Sequence, residues 1–301
     1  MKANTPFFLI SLAASLLLLV GCGPQTEESA DASLQKIVIA MEPDKDPDAM
    51  LEDRQAIEGY LSQSIGKPVE AIVPISSAVI YEGLKNGSID IAYLSSTAAA
   101  KLMESGAIDI LLAELIDGNP YYQSYWIGLE DSPYESIADL KGKPIAFSSR
   151  TSTSGFLIPT WDLYTQGLID LESGPKGFFG EDNVFYGVGY VSAAERVLDG
   201  TAEAAAVSYY VLDKDKHLSE AQRARLKVID TQGPVPSHVV VVRNALNATD
   251  RAALRASLLE MNTEATDLRD RIFGAPLAPA EANQHLQSTF EALELMRTMQ
   301  F

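Results

Sequence analysis

A single cysteine, Cys22, among 301 residues excludes an internal disulfide and a cysteine-built metal centre. Histidine is nearly as scarce. His217, His238 and His285 stand far apart without ligand spacing, so each is read as a surface or satisfied side chain, and no metal site is expected. There is no GxSxG elbow, P-loop or GxGxxG fingerprint, so the sequence offers no signature of a hydrolase or a nucleotide enzyme, and no cofactor is expected. Positive charge is short: 23 Lys and Arg stand against 41 Asp and Glu, a formal net charge of −18. That balance excludes a general attraction to nucleic acid or an anionic membrane surface. It does not exclude an anionic ligand, since local dipoles act at contact distance. Asp44, Asp46 and Asp48 alternate as in a calcium loop, but Pro47 lies among them and the closing glutamate is missing, so DKDPD is read as a solvated loop.

Long apolar runs are confined to one place. Lys2 gives a minimal positive start and Phe7 to Val20 is almost unbroken apolar sequence, too short to span a bilayer comfortably. It closes in Leu19-Val20-Gly21-Cys22, which resembles a bacterial lipobox. The expectation is a signal peptide over residues 1–21, lipid on Cys22, and a location on the outer side of a membrane; a plain signal peptide with an incidental cysteine is the alternative. Residues 22–35 are mostly small and polar, and read as a flexible tether.

From Lys36 onward, short apolar strands alternate with helical patterns, each helix closed by Gly or Gly-Lys-Pro. This βαβ alternation predicts an α/β fold of two lobes, each a mostly parallel sheet flanked by helices, with a cleft between them. Residues 36–124 plus 238–301 are expected to form lobe 1 and residues 125–237 lobe 2. The crossings are placed near Gln123–Trp126 and Pro236–Val239.

One arrangement recurs three times: an apolar strand, then hydroxyl residues, then a helix start. Val69–Val73 leads to Ser76 and Ser77. Ile89–Leu94 leads to Ser95, Ser96 and Thr97. Ile145–Phe147 leads to Ser148 and Thr151-Ser152-Thr153-Ser154-Gly155. Alone, each cluster reads as a satisfied helix cap. Together, at the carboxyl ends of strands in two lobes, they can surround an anion with N–H and O–H donors. Gly155 would let a ligand approach backbone closely.

These segments carry a resemblance. TSTSGFLIP, Thr151 to Pro159, resembles the STSG-x-x-x-P signature of the phosphate/phosphite/phosphonate-binding proteins of ABC importers. ADLKGKPIAF (Ala138–Phe147), VIYEGLKNGSIDIAYL (Val79–Leu94), VLDGTAEAAAV (Val197–Val207) and Pro234-Val235-Pro236 are similar to the family's other segments. The resemblance implies the type II periplasmic-binding fold, capture of a small phosphorus oxyanion, delivery to a membrane permease, and a monomer that is not an enzyme. It implies that Ser152, Thr153 and Ser154 hold the oxyanion, with Tyr93 and Ser77 contributing. The sequence departs from the family where Ser76 stands for a tyrosine, where Val188-Gly189-Tyr190-Val191 stands for Gly-Ser-His-Asp, and where Ser208-Tyr209-Tyr210 stands for amine-binding carboxylates. The last departure speaks against an aminoalkylphosphonate. Arg150, Tyr190 and Tyr209 complete the candidate contacts, with a solvated loop arginine as the alternative for Arg150. A sensor partner of a membrane kinase, and a hydrolase using a serine of the STSG loop, are the rival functions.

Overall fold

The computed structural model describes Met1 and residues 34–41, 50–214 and 217–301. The expected signal peptide, Cys22, most of the tether and the aspartates at 44, 46 and 48 lie outside the described residues.

The chain opens as β1 (Ile37–Ala40), α1 (Leu51–Ile65), β2 (Val69–Ile72), α2 (Ser77–Asn86), β3 (Ile91–Leu94), α3 (Ser96–Glu104) and β4 (Ile108–Glu114). Apolar strands and glycine stops define these boundaries: Gly66 and Gly87 end α1 and α2 in the left-handed conformation, at φ 69° and 81°, which glycine adopts without strain. The next series is β5 (Tyr121–Leu129), β6 (Ile145–Phe147), a wide π-type turn (Thr153–Leu157), α4 (Ile158–Thr165), α5 (Gly174–Phe179), β7 (Val184–Tyr186), α6 (Tyr190–Leu198), β8 (Ala204–Ser208), α7 (Tyr210–Asp213), α8 (Glu220–Arg223) and β9 (Leu226–Pro236). The chain closes with β10 (Val239–Arg243), α9 (Ala248–Glu264), α10 (Thr266–Phe273), β11 (Leu277–Ala278), α11 (Ala282–His285) and α12 (Gln287–Thr298).

Two sheets result. One has the order β11-β4-β10-β3-β1-β2, the other β7-β6-β8-β5-β9. The strands β1 to β4 share one direction, and so do β6 to β9. The reversed strands are β5, β10 and the short β11. The reversal of β5 and β10 has a simple cause. Each is the first strand after the chain passes between sheets, so it enters at the end where its predecessor left and must run away from it. The carboxyl ends of both parallel sets therefore face the passage between the halves. The first passage lies between Glu114 and Tyr121, so residues 123–126 sit inside β5, not at a crossing; β5 already pairs with β9 at Tyr121.

One apolar cluster spans both halves: Ile80, Leu94 and Val239 pack with Tyr122, Leu157 and Val235. The helix α12 lies across the same junction. Leu286 just before it, with Ala292 and Leu293, joins that cluster, whereas Leu295 and Met299 enter the core of the second half. Arg297 on α12 pairs with Glu104 of α3 at 2.5 Å. At the other end of the described body, the Leu34 N–H donates to Asp250 at 2.9 Å, and Lys67 pairs with the same carboxylate.

Candidate functional site

Helices following strands place their N-termini at the strands' carboxyl ends, and here those ends open on a shared cavity of about 970 Å³ between the halves. From the first half, Ser77 at the start of α2, Ser95 before α3, Tyr81 and Tyr93 line it. From the second half come Ser148, Ser149, Thr151, Ser152 and Thr153 of the loop after β6. The start of α6, residues 188–192, and Tyr209 with Tyr210 complete that side.

The helix starts differ in what they leave open. The helix α2 begins without a side-chain cap, so its first amides keep their capacity for an anion. Ser95 caps α3 by accepting from the Ala98 N–H at 3.4 Å, and Ser152 accepts from the Gly155 N–H at 2.9 Å. At α6, the Ser192 hydroxyl accepts from the Val188 and Gly189 N–H groups at 3.0 and 3.2 Å, which occupies those amides.

Of the residues singled out from sequence, Ser77, Tyr93 and Ser95 line the cavity from one side, and Ser152, Thr153, Tyr190 and Tyr209 from the other. Tyr93 has a structural duty as well: its hydroxyl donates to the Phe273 carbonyl at 2.8 Å. The remaining candidates are placed elsewhere. Ser76 sits at the cap position of α2 and does not line the cavity. Ser96 and Thr97 are buried and face the other half. The Thr97 and Thr153 hydroxyl oxygens are 2.7 Å apart, and the Thr97 N–H and Ser96 hydroxyl both donate to Thr153 Oγ1 at 3.3 Å. These residues latch the halves together. Ser154 is buried behind the loop, its hydroxyl 2.7 Å from that of Tyr190 and its carbonyl accepting from Ser124. At Gly155 a Cβ would lie 2.5 Å from the Ser148 side chain, so the glycine makes room for serine packing instead of ligand approach. Arg150 is exposed and points away: its guanidinium lies 3.8 Å from the Tyr186 ring centroid and 5.4 Å from that of Phe301. Phe156, with its centroid 5.8 Å away, is a third aromatic ring around the cation, and such faces attract a guanidinium.

Sequence reasoning missed Glu114, read His217 and His238 as surface or satisfied side chains, and did not single out Tyr122 or Tyr210 as contacts, yet all five line the cavity. Glu114 and His238 flank the two passages between the halves. The Glu114 N–H bonds the His238 carbonyl at 2.9 Å, and their side chains approach to 3.9 Å. Position at a strand end beside a crossing was the available signal. The tyrosines are uncharged donors. Burial pushes the Tyr209 hydroxyl up to about 12, with Glu114, Asp117 and Asp213 adding to the effect. Burial raises Tyr122 and Tyr210 still more strongly.

Among the described residues, the hydroxyls of the loop bond to other hydroxyls and not to an imidazole or carboxylate: Ser152 and Ser154 to Tyr190, and Thr153 to Thr97. A serine nucleophile needs such a base. Among the described residues, no group of three or more His, Cys, Asp and Glu could hold a metal ion, and no helix is long and apolar enough to cross a membrane.

Comparison with known proteins gives a consistent family. The sequence profile described as "ABC transporter, phosphonate, periplasmic substrate-binding protein" matches residues 39–284. The chain is 25% identical over 257 residues to the phosphate-import protein PhnD of Mycolicibacterium smegmatis, covering 82% of this chain and 79% of that protein. It is 25% identical over 196 residues to the phosphonates-binding periplasmic protein of Escherichia coli, covering 64% of this chain and 56% of that one. Among solved structures, XAC2383 from Xanthomonas citri bound to ATP shares the fold with a TM-score of 0.75 at 19% identity, covering 89% and 100% of the two chains. PhnD1 from Prochlorococcus marinus in complex with methylphosphonate does so with a TM-score of 0.70 at 17% identity, covering 88% and 99%.

Proposed function

The chain belongs to the family of periplasmic substrate-binding proteins of phosphonate ABC transporters, and from that premise we propose that it captures a small phosphorus oxyanion (phosphite, phosphate or an alkylphosphonate) between its two lobes and delivers it to a membrane permease. We take the lobes to follow the two sheets, with the expected first boundary at residue 124 moved back to the passage between Glu114 and Tyr121 and the second lying between Pro236 and Val239. One observation carries the proposal. Ser77 and Ser95 from one half and Ser152 and Thr153 from the other line the same cavity. Hydroxyls and helix-start amides suit an oxyanion because charge-assisted hydrogen bonds strengthen where water is excluded. A receptor returns its ligand unchanged, and loop hydroxyls bonded to Tyr190 and Thr97 suit that role. The protein works as a monomer on the outer side of a membrane, held there by lipid on Cys22.

The test is a melting-temperature panel of phosphite, phosphate, methylphosphonate and sulfate. A bound oxyanion at about 100 times its Kd stabilises the fold by about 2.7 kcal/mol, a rise of several degrees. At least one phosphorus oxyanion should produce it and sulfate should lag behind. Silence from all phosphorus oxyanions overturns the ligand class.

A further inference from the structure

A phosphoryl headgroup fills only a small part of the cavity. At about 970 Å³ the space is of the size that takes a drug-like molecule. A tetrahedral oxyanion needs room comparable to a few water molecules, at roughly 30 Å³ each. Beyond the hydroxyl loop, the wall of the second half is a chain of aromatic rings. Tyr122 and Tyr209 have centroids 5.5 Å apart, Tyr209 and Tyr210 5.6 Å, Tyr210 and Tyr190 5.4 Å, and Tyr210 and His217 5.1 Å. All five residues line the cavity, and all but Tyr122 are only half-buried. The chain of rings begins at the hydroxyl loop itself, since Tyr190 bonds both Ser152 and Ser154.

The chemistry of this wall favours a ring over an ammonium group. Ser208, Tyr209 and Tyr210 place no carboxylate after β8. Asp213 accepts a hydrogen bond from Tyr125 at 2.8 Å and does not line the cavity. The carboxylates that line the cavity, Glu114 and Asp270, both stand on the other half, Glu114 beside His238 and Asp270 paired with Arg269 at 2.6 Å. Aromatic side chains hold planar groups by stacked or edge-to-face contact over large apolar area.

Resting on the reading that the cavity takes a phosphorus oxyanion, we propose that its ligand is an organophosphonate or phosphate ester whose substituent carries a planar ring, held by Tyr190, Tyr209 and Tyr210 while the headgroup sits at Ser77, Ser95, Ser152 and Thr153. The full chain is titrated calorimetrically with methylphosphonate, 2-aminoethylphosphonate and phenylphosphonate. Phenylphosphonate should bind at least about tenfold more tightly than methylphosphonate. In Tyr209→Leu and Tyr210→Leu, each first checked by melting temperature, that ratio should fall towards one. Where a variant is unstable, the wild-type ranking decides alone. The proposal is overturned if phenylphosphonate is no tighter than methylphosphonate, if the aminoethyl compound ranks first, or if both folded variants keep the wild-type ratio. Binding of methylphosphonate without a ring preference sinks this inference alone; no binding of any of the three sinks the oxyanion reading with it.

Discussion

Thr153 Oγ1 accepts from the Thr97 N–H while its residue lines the cavity, so one hydroxyl serves both the ligand space and the contact between halves. Replacing Ser152 by Ala or Thr153 by Val should weaken binding of the tightest phosphorus oxyanion by about 1–3 kcal/mol, the cost of a hydrogen bond to a charged group. Thr97→Val separates the two duties of Thr153. If it matches the Thr153→Val loss in a titration, the hydroxyl acts through the latch, because an acceptor state that is less populated binds proportionally more weakly. Arg150 makes the contrasting case. Stacked on Tyr186 and exposed to solvent, it should leave affinity unchanged as Arg150→Ala and lower stability by about 0.5–1 kcal/mol in a urea titration. The hydroxyl loop was legible because a helix start declares itself locally, in four adjacent small polar residues and a glycine. The direction of Arg150 was not, because it depends on Tyr186 and Phe301, remote in sequence.

Among the elements, the short apolar strands and glycine-closed helices were readable, and β9 was not. Its buried residues are Leu226, Ile229, Gln232 and Val235, with Pro236 at the end, a spacing of three along most of its length where a flat strand alternates by two. The pairing of β5 with β9 shifts register twice, and such bulges twist a strand and erase the alternation a reader looks for. Where β9 hands over to β10, Ser237 gathers the two passages: its hydroxyl donates to the Glu114 carbonyl at 2.6 Å and its N–H to the Pro120 carbonyl at 3.0 Å. The buried His285 ring reaches the Ser237 carbonyl at 3.2 Å. Burial holds His285 below the ordinary histidine range, partly offset by that hydrogen bond. The unfolded chain therefore takes up a proton more readily than the folded one, and stability is lost as pH falls through about 6.5 and on towards the depressed folded value. Urea midpoints measured at about pH 7.5 and 5.5, on either side of the unfolded value, should differ in that direction. In His285→Gln the difference should shrink; an unchanged difference would mean that other groups govern the acid limb.

At the scale of the whole molecule, the two-lobed plan was legible from the alternation of strand and helix, but the cavity as a unit was not. Glu114 and His238 meet only because β10 inserts between β3 and β4, and no local pattern announces that insertion. The net charge of −18 sets a further expectation. Capture of an anion by so acidic a body is opposed at long range and favoured at contact, and salt screens the first far more than the second. The association rate for methylphosphonate should therefore rise as ionic strength is raised moderately, measured by stopped-flow; a rate that falls steeply would point to a steering cationic patch instead.

The helix α12 starts beside the paired passages, where Ser288 donates to the Pro234 carbonyl at 3.4 Å, and runs from the shared apolar cluster into the core of the second half. A gate hung on two neighbouring pins can swing, but a brace fixed to both leaf and post resists that swing. Any movement of one half against the other therefore has to carry or shear this helix across apolar surface.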